Sequence, residues 1–203
     1  MHIDYYFTLL SPFAYLAGDR LERMAAAQGA TVAYKPADFG RLISEGGGLP
    51  LPKRHPFRQA YRMQELRRLP RRAGLVLNPT PAHWPTDPTR ATHALLLAIE
   101  AGKGDPGAVA RAIMRAVWAE EKDVARADVV AAALAEGGCD PALAEPTPEQ
   151  TARAEALLAA NTDEASARGV FGAPFYIVGD EKFWGHDRLD YLEDHLKDLA
   201  GKG

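Results

Sequence analysis

The chain is poor in cysteine: among 203 residues there is one, Cys139. That excludes an intramolecular disulfide, a Cys-x-x-Cys redox pair and a cysteine-based zinc site, and no metal is expected. Cys139 follows Gly137-Gly138 and precedes Asp140-Pro141, so it reads as a bystander thiol on a loop. Long apolar runs are also missing, and none approaches the length needed to span a bilayer. The start, Met1-His2-Ile3-Asp4, lacks a basic stretch followed by an apolar one. No signal peptide is therefore expected, and cytoplasmic residence follows by default. Excess positive charge is absent too. A net charge of −3 offers no general attraction to nucleic acid or to an anionic membrane, so neither is expected as a partner.

What is present is a strand-and-helix order split by a long insertion. Ile3 to Phe7 is a nearly continuous apolar run, as a strand buried on both faces requires. Ser11-Pro12 combines a preferred N-cap with a preferred first helical residue, and apolar residues then recur at helical spacing up to Gly29, predicting one helix. Thr31 to Tyr34 is a second strand, which makes a βαβ unit with parallel strands and a right-handed crossover. Nine of the fifteen prolines fall between Pro36 and Pro88, around one helix from about Phe57 to Leu69. From Thr89 to Glu136 the chain is alanine-rich and helical, with Asp105-Pro106 as a start signal. Thr147-Pro148-Glu149-Gln150 has capping-box spacing and opens a helix running toward Arg168. Phe175 to Val178, Gly179-Asp180 and Glu181 to Trp184 read as a hairpin. Asp187 is a candidate cap for a last helix with a stripe of Leu189, Leu192, Leu196 and Leu199. The fold class is α/β: a thioredoxin-like βαβ–ββα sheet with a large all-helical insertion. The expected division is residues 1–36 and 169–203 for the sheet domain and 37–168 for the insertion.

In that order, the proline before the third strand faces the start of the first helix. Pro174 stands at a strand entrance, where a missing N–H is tolerated and a cis bond is an option. A cis bond would turn the Ala173 N–H and C=O outward, free to pair with an extended peptide. Ser11 occupies the place where a redox protein of this topology carries its reactive cysteine. A helix N-terminus stabilises an anion, and a thiolate is a suitable one. With no cysteine there, the thiol must arrive on a ligand, and glutathione is the cellular candidate. A Ser11 hydroxyl donated to its sulfur favours the charged form. Trp184-Gly185-His186-Asp187 supplies a second anchor: Asp187 suits the ammonium of a γ-glutamyl group, and His186 and backbone N–H groups suit its carboxylate. Taken one at a time, Ser11 and Asp187 are ordinarily explained by plain helix capping.

Taken together, these stretches carry a resemblance. Phe7-x-x-x-Ser11-Pro12-Phe13-x-Tyr15-Leu16-Ala17, Gly169-Val170-Phe171-Gly172-Ala173-Pro174 and Phe183-Trp184-Gly185-x-Asp187-Arg188-Leu189 are similar to segments of 2-hydroxychromene-2-carboxylate isomerases. Gly48-Leu49-Pro50 through Lys53-Arg54 and Gly74 to Asn78 resemble their insertion, and kappa-class glutathione transferases are related. The resemblance implies a thioredoxin fold, glutathione as cofactor, a catalytic Ser11 and a homodimer. It also implies a cis-trans isomerisation of an aromatic hydroxy or keto carboxylate in aromatic-compound catabolism. A thiolate that adds to a conjugated substrate, allows rotation and leaves again consumes nothing, which is covalent catalysis with a borrowed nucleophile. The chain departs from the pattern at Thr8, Leu9 and His186, where an acid, a phenylalanine and a Gln, Asn or Ser are common. A kappa-like transferase or peroxidase and a non-catalytic glutathione-fold binding module are the alternatives.

Eight Lys or Arg and one acid lie between Lys53 and Arg72. Arg54, Arg58 and Arg62 share a four-residue spacing and so one helix face. A solvated face is the ordinary explanation. Lys53 and Arg54 match the family's substrate-contacting region and are the expected holders of the substrate carboxylate, with Arg41 a weaker candidate. Asn78 and Trp84 lie in a Pro-rich loop that could close over an aromatic ring.

Overall fold

The computed structural model describes residues 1–201; positions 202 and 203, the end of the expected second sheet segment, lie outside the described residues. A four-stranded mixed sheet runs in the order β2, β1, β3, β4, formed by His2–Phe7 (β1), Thr31–Pro36 (β2), Phe175–Val178 (β3) and Glu181–Trp184 (β4). β1 and β2 are parallel, from His2 opposite Thr31 to Phe7 opposite Pro36. β1 and β3 are antiparallel, with Tyr6 opposite Phe175. β3 returns through Gly179-Asp180 into β4. The first crossover is made by Pro12–Ala17 (α1) and Arg20–Ala27 (α2). Between β2 and β3 stand Phe39–Glu45 (α3), Pro56–Ala73 (α4), Thr89–Ala101 (α5), Pro106–Trp118 (α6), Ala127–Glu136 (α7) and Pro148–Ala167 (α8). Leu189–Ala200 (α9) closes the chain. This is the thioredoxin-like architecture with the helical insertion anticipated from the sequence. Among the described residues no helix is long and apolar enough to cross a membrane.

The near-continuous apolar reading of β1 has its reason in two covered faces. Ile3, Tyr5 and Phe7 join Tyr176 and Val178 in a core shared with α1, α2, α5, α6 and α9. Tyr5 is stacked on Phe7 at 4.4 Å and on Tyr176 at 5.1 Å between ring centroids. Tyr6, Phe175 and Ile177 face the other way, onto Phe39 and Leu42 of α3 and Ala165 of α8. Ile3, Phe7, Phe175 and Ile177 are at most 1% exposed, and each such side chain contributes about 1.5–3 kcal/mol relative to exposure. The pairing of β1 with β3 is therefore held firmly. We keep 1–36 with 169–203, against 37–168, as the proposed division of the chain. The first core runs continuously across it.

Four local expectations need correction. The single helix expected up to Gly29 is two helices, because Gly18 takes φ 60°, ψ −135° and its N–H turns back to the Tyr15 carbonyl. An isolated glycine in a helical pattern is tolerated on sequence grounds, so the break was not visible there. Asp187 does not cap α9. His186–Arg188 forms a 3-10 turn, and α9 begins without a side-chain cap, at Arg188. Of the leucine stripe, Leu189, Leu192 and Leu196 are buried, whereas Leu199 is 37% exposed. α4 also runs past Leu69, through Pro70, and stops where Gly74 enters the left-handed region.

Asp4 points from the second face of β1 into a cationic pair. Its carboxylate is 2.8 Å from Lys35 and is also paired with Arg168. Burial pushes its pKa up, but hydrogen bonds from Lys35 and Arg168 outweigh that and leave it below the ordinary value. A depressed folded pKa favours the folded state above the unfolded value of about 3.9, and that contribution is lost as pH falls through the folded value. In urea unfolding followed from pH 7 to pH 3, Asp4→Asn should be the less stable protein at pH 7 and should lose less stability on acidification. Gly18→Ala should cost about 1–3 kcal/mol in the same assay at pH 7, because an L side chain must enter that backbone region. A wild-type midpoint for Gly18→Ala would refute the strain.

Candidate functional site

Four residues after β1, Ser11 starts α1. Its hydroxyl accepts from the Ala14 N–H at 3.2 Å, and its own N–H donates to Thr8 at 3.1 Å. Pro12 fills the first helical position, where no N–H is needed. Two residues before β3, Ala173 turns its carbonyl toward this cap: Ser11 Oγ donates to it at 3.4 Å. The Ala173–Pro174 peptide is cis. Ser11 is 8% exposed. Antiparallel pairing of Tyr6 with Phe175 brings both loops to the same end of the sheet. Because α1 has only six residues, the field at Ser11 comes from its first-turn N–H groups rather than from a long dipole.

The end of β4 completes this corner. Gly185 N–H donates to the Pro174 carbonyl at 2.9 Å. The Trp184 ring lies on Gly172, where a Cβ would come within 2.4 Å of Nε1. Gly185 has φ 109°, and a Cβ there would meet Asp187 Oδ1 at 2.4 Å. His186 is stacked on Phe13 of α1, with ring centroids 5.7 Å apart. Burial pushes the His186 pKa below its usual value against the pull of Asp187, so the imidazole is neutral at pH 7 and above. Asp187 is exposed and paired with Arg188 at 2.8 Å. Ser11, Ala173, Pro174, Trp184, Gly185, His186 and Asp187 thus surround one corner of the molecule. A cavity of about 860 Å³ opens beyond it, between Tyr15, Leu16, Leu69 and Leu75, with His186 and Asp187 on its rim.

The residues expected to meet the substrate are less uniform. Lys53 is exposed on a 3-10 turn. Arg54 is partly buried and donates from Nε to the Leu49 carbonyl at 2.8 Å. Asn78 donates its N–H to the Trp118 carbonyl at 2.7 Å and accepts from Thr80 with its side chain, which folds the loop back on itself. Trp84 is half-buried, tilted against Trp118 at 5.7 Å. Arg41 is committed elsewhere: its guanidinium binds Glu45 at 2.7 Å and Asp163 at 2.6 Å, tying α3 to α8. The sequence reading did not single out Phe13 under His186, Gly172 under Trp184, or Arg62 over Trp84. Only the last had a visible signal, its place on the basic face of α4.

Ser11 at the cysteine position leaves this corner without redox chemistry of its own. Cys139 is buried, with its thiol donating to the Lys103 carbonyl at 3.2 Å, and burial pushes its pKa up. The chain belongs to the DSBA-like thioredoxin domain family, whose model matches residues 2–197. More narrowly, it is 31% identical over 198 residues to a 2-hydroxychromene-2-carboxylate isomerase of Sphingobium xenophagum, covering 97% of this chain and 98% of the relative. It is 29% identical over 201 residues to the protein of that name from Pseudomonas putida, covering 98% and 96%. A solved 2-hydroxychromene-2-carboxylate isomerase superposes with a TM-score of 0.79 at 28% identity, over 100% of this chain and 97% of the other.

The tight approach at Gly172 can be tested directly. In Gly172→Ala the new methyl displaces the half-exposed Trp184 ring, so its emission should shift to the red, and stability should fall by about 1–3 kcal/mol. Trp184→Phe supplies the reference spectrum. Unchanged emission and stability would mean that the ring does not rest on this backbone.

Proposed function

We propose that the protein is a glutathione-dependent cis-trans isomerase of the 2-hydroxychromene-2-carboxylate isomerase type, acting on an aromatic hydroxy or keto carboxylate. One observation carries the reading: a serine hydroxyl at the start of α1, 3.4 Å from the Ala173 carbonyl, with no cysteine nearby. The residues fit the tripeptide. Ala173 is outside any strand, and its N–H donates to nothing among the described residues, so an extended peptide can pair there. His186 and the backbone of the 3-10 turn suit the γ-glutamyl carboxylate, and the exposed Asp187 suits its ammonium. Bound glutathione would supply a thiolate that adds reversibly to a conjugated double bond.

The chain's own groups do the rest. Ser11 has two acceptors within reach of its proton, the Ala173 carbonyl now and a ligand sulfur when one is bound. A donated O–H favours the anionic sulfur and lowers its pKa. Near-complete burial of Ser11 excludes water, which strengthens that hydrogen bond. Phe13 holds His186 by ring stacking, and a neutral His186 can donate one hydrogen bond and accept another without adding charge. The reading includes a cytoplasmic homodimer; exposed Phe57 and Tyr61, one turn apart on α4, offer an apolar face for a second copy.

Turnover of 2-hydroxychromene-2-carboxylate, followed by absorbance with and without glutathione, tests this. Omitting the thiol should abolish most activity, and Ser11→Ala should lower kcat by about 10²-fold, the scale for removing one positioned donor. Millimolar glutathione should also raise the melting temperature of the wild type. Full turnover without any thiol would sink the reading, and unchanged turnover in Ser11→Ala would remove the serine from it.

A further inference from the structure

α4 carries six basic residues, yet among the described residues it makes one ion pair, Arg68 with Glu65. Arg54, just before the helix, and Arg58 and Arg62 on it have no carboxylate partner. Like charges four residues apart repel, so such a face is costly unless solvent or an anion screens it. Solvent suffices for Arg58, which is exposed. It does not suffice for Arg62. Its guanidinium is half-buried, 5.7 Å from the centroid of the Trp84 ring. Burial, and then Arg54, hold its pKa below the usual value, so the two guanidinium groups feel each other. The platform beneath is rigid. Trp84 packs on the main core and against Trp118, which is fully buried. The indole N–H of Trp84 is itself buried without an acceptor. A partly desolvated cation, a second cation beside it and an aromatic surface therefore meet in one place.

We propose that Arg62, seated on Trp84 and assisted by Arg54, is the residue that binds the substrate's carboxylate. The anion balances two guanidinium groups that the protein leaves unpaired, and Arg presents a planar fork that matches a carboxylate. The flat conjugated chain lies beside the indole. Lys53, which is exposed, contributes only to the local potential. This deepens the reading above, on which the nature of the anion rests, and moves the carboxylate anchor from Lys53 to Arg62.

The test reads binding, without thiol and without turnover. Isothermal titration calorimetry is run with 2-oxo-4-phenylbut-3-enoate and with its methyl ester, on wild type, Arg62→Ala, Arg62→Lys and, as a control for general loss of charge, Arg153→Ala. Arg62→Ala should weaken the acid by about tenfold or more, the scale of a charge-assisted hydrogen bond. It should leave the ester's affinity where the wild type has it. Arg62→Lys should keep part of the acid's affinity, and Arg153→Ala all of it. The proposal is overturned if the acid binds Arg62→Ala as it binds the wild type. It is also overturned if acid and ester weaken equally, which would make Arg62 a packing residue, or if the wild type does not bind the acid. A failed thiol requirement in the turnover assay leaves this result intact. A failed titration likewise leaves the Ser11 reading standing.

Discussion

The structure depends on the register between β1 and β3. Tyr6 stands opposite Phe175, so the chain leaving β1 and the chain entering β3 emerge side by side. Ser11 and Ala173, 162 positions apart in sequence, come within hydrogen-bond distance for that reason. A shift of one residue would turn Phe7, Phe175 and Ile177 out of their cores, which burial of those side chains forbids. The hairpin then carries the same register to Trp184 and Gly185, whose N–H binds the Pro174 carbonyl. One strand pairing thus positions every element of the proposed thiol corner, and none of those elements needs a bond from the insertion.

The insertion reaches the corner by another route. The segment after α4 is pinned to α1 by the Tyr15 hydroxyl donating to the Val76 carbonyl at 2.8 Å, and to the end of α6 by Asn78. Trp84 follows and wedges against Trp118. The loop is proline-rich but fixed at three points, so Arg62 above it rests on a defined surface. The two halves of the proposed site therefore have different physical characters. The sheet end offers backbone groups and a neutral hydroxyl; the insertion offers guanidinium groups on an indole.

What could be read beforehand follows the range of the interactions. Ser11-Pro12 and the Thr147 capping box are local chemistry, and both stand as expected, with Gln150 closing the box. The hairpin and the parallel pairing of β1 with β2 followed from strand signals plus the handedness of crossovers. Gly18 was not recognisable as a break, because nothing local distinguishes a glycine that stays helical from one that does not. Asp187 looked like a cap for α9, but Gly185 at φ 109° tightens the chain into a 3-10 turn, leaving that carboxylate with Arg188. Arg62 was seen as part of a basic face. Its distinction from Arg58 lies entirely in a tryptophan from the following loop, and no periodicity in α4 encodes that.

A serine at the start of α1 also changes what the rest of the chain must do. A protein with its own reactive thiol needs a second thiol or a partner to resolve a disulfide. Here the single cysteine is buried on the far loop, held by the Lys103 carbonyl, with its ionisation disfavoured. The chain can therefore neither form nor exchange a disulfide at Ser11, and a sulfur bound there is held only by hydrogen bonds. Such binding is reversible: the ligand can leave the protein. A cysteine in place of Ser11 could, given a two-electron oxidant, join the same sulfur in a mixed disulfide, whereas the serine leaves the ligand free to dissociate.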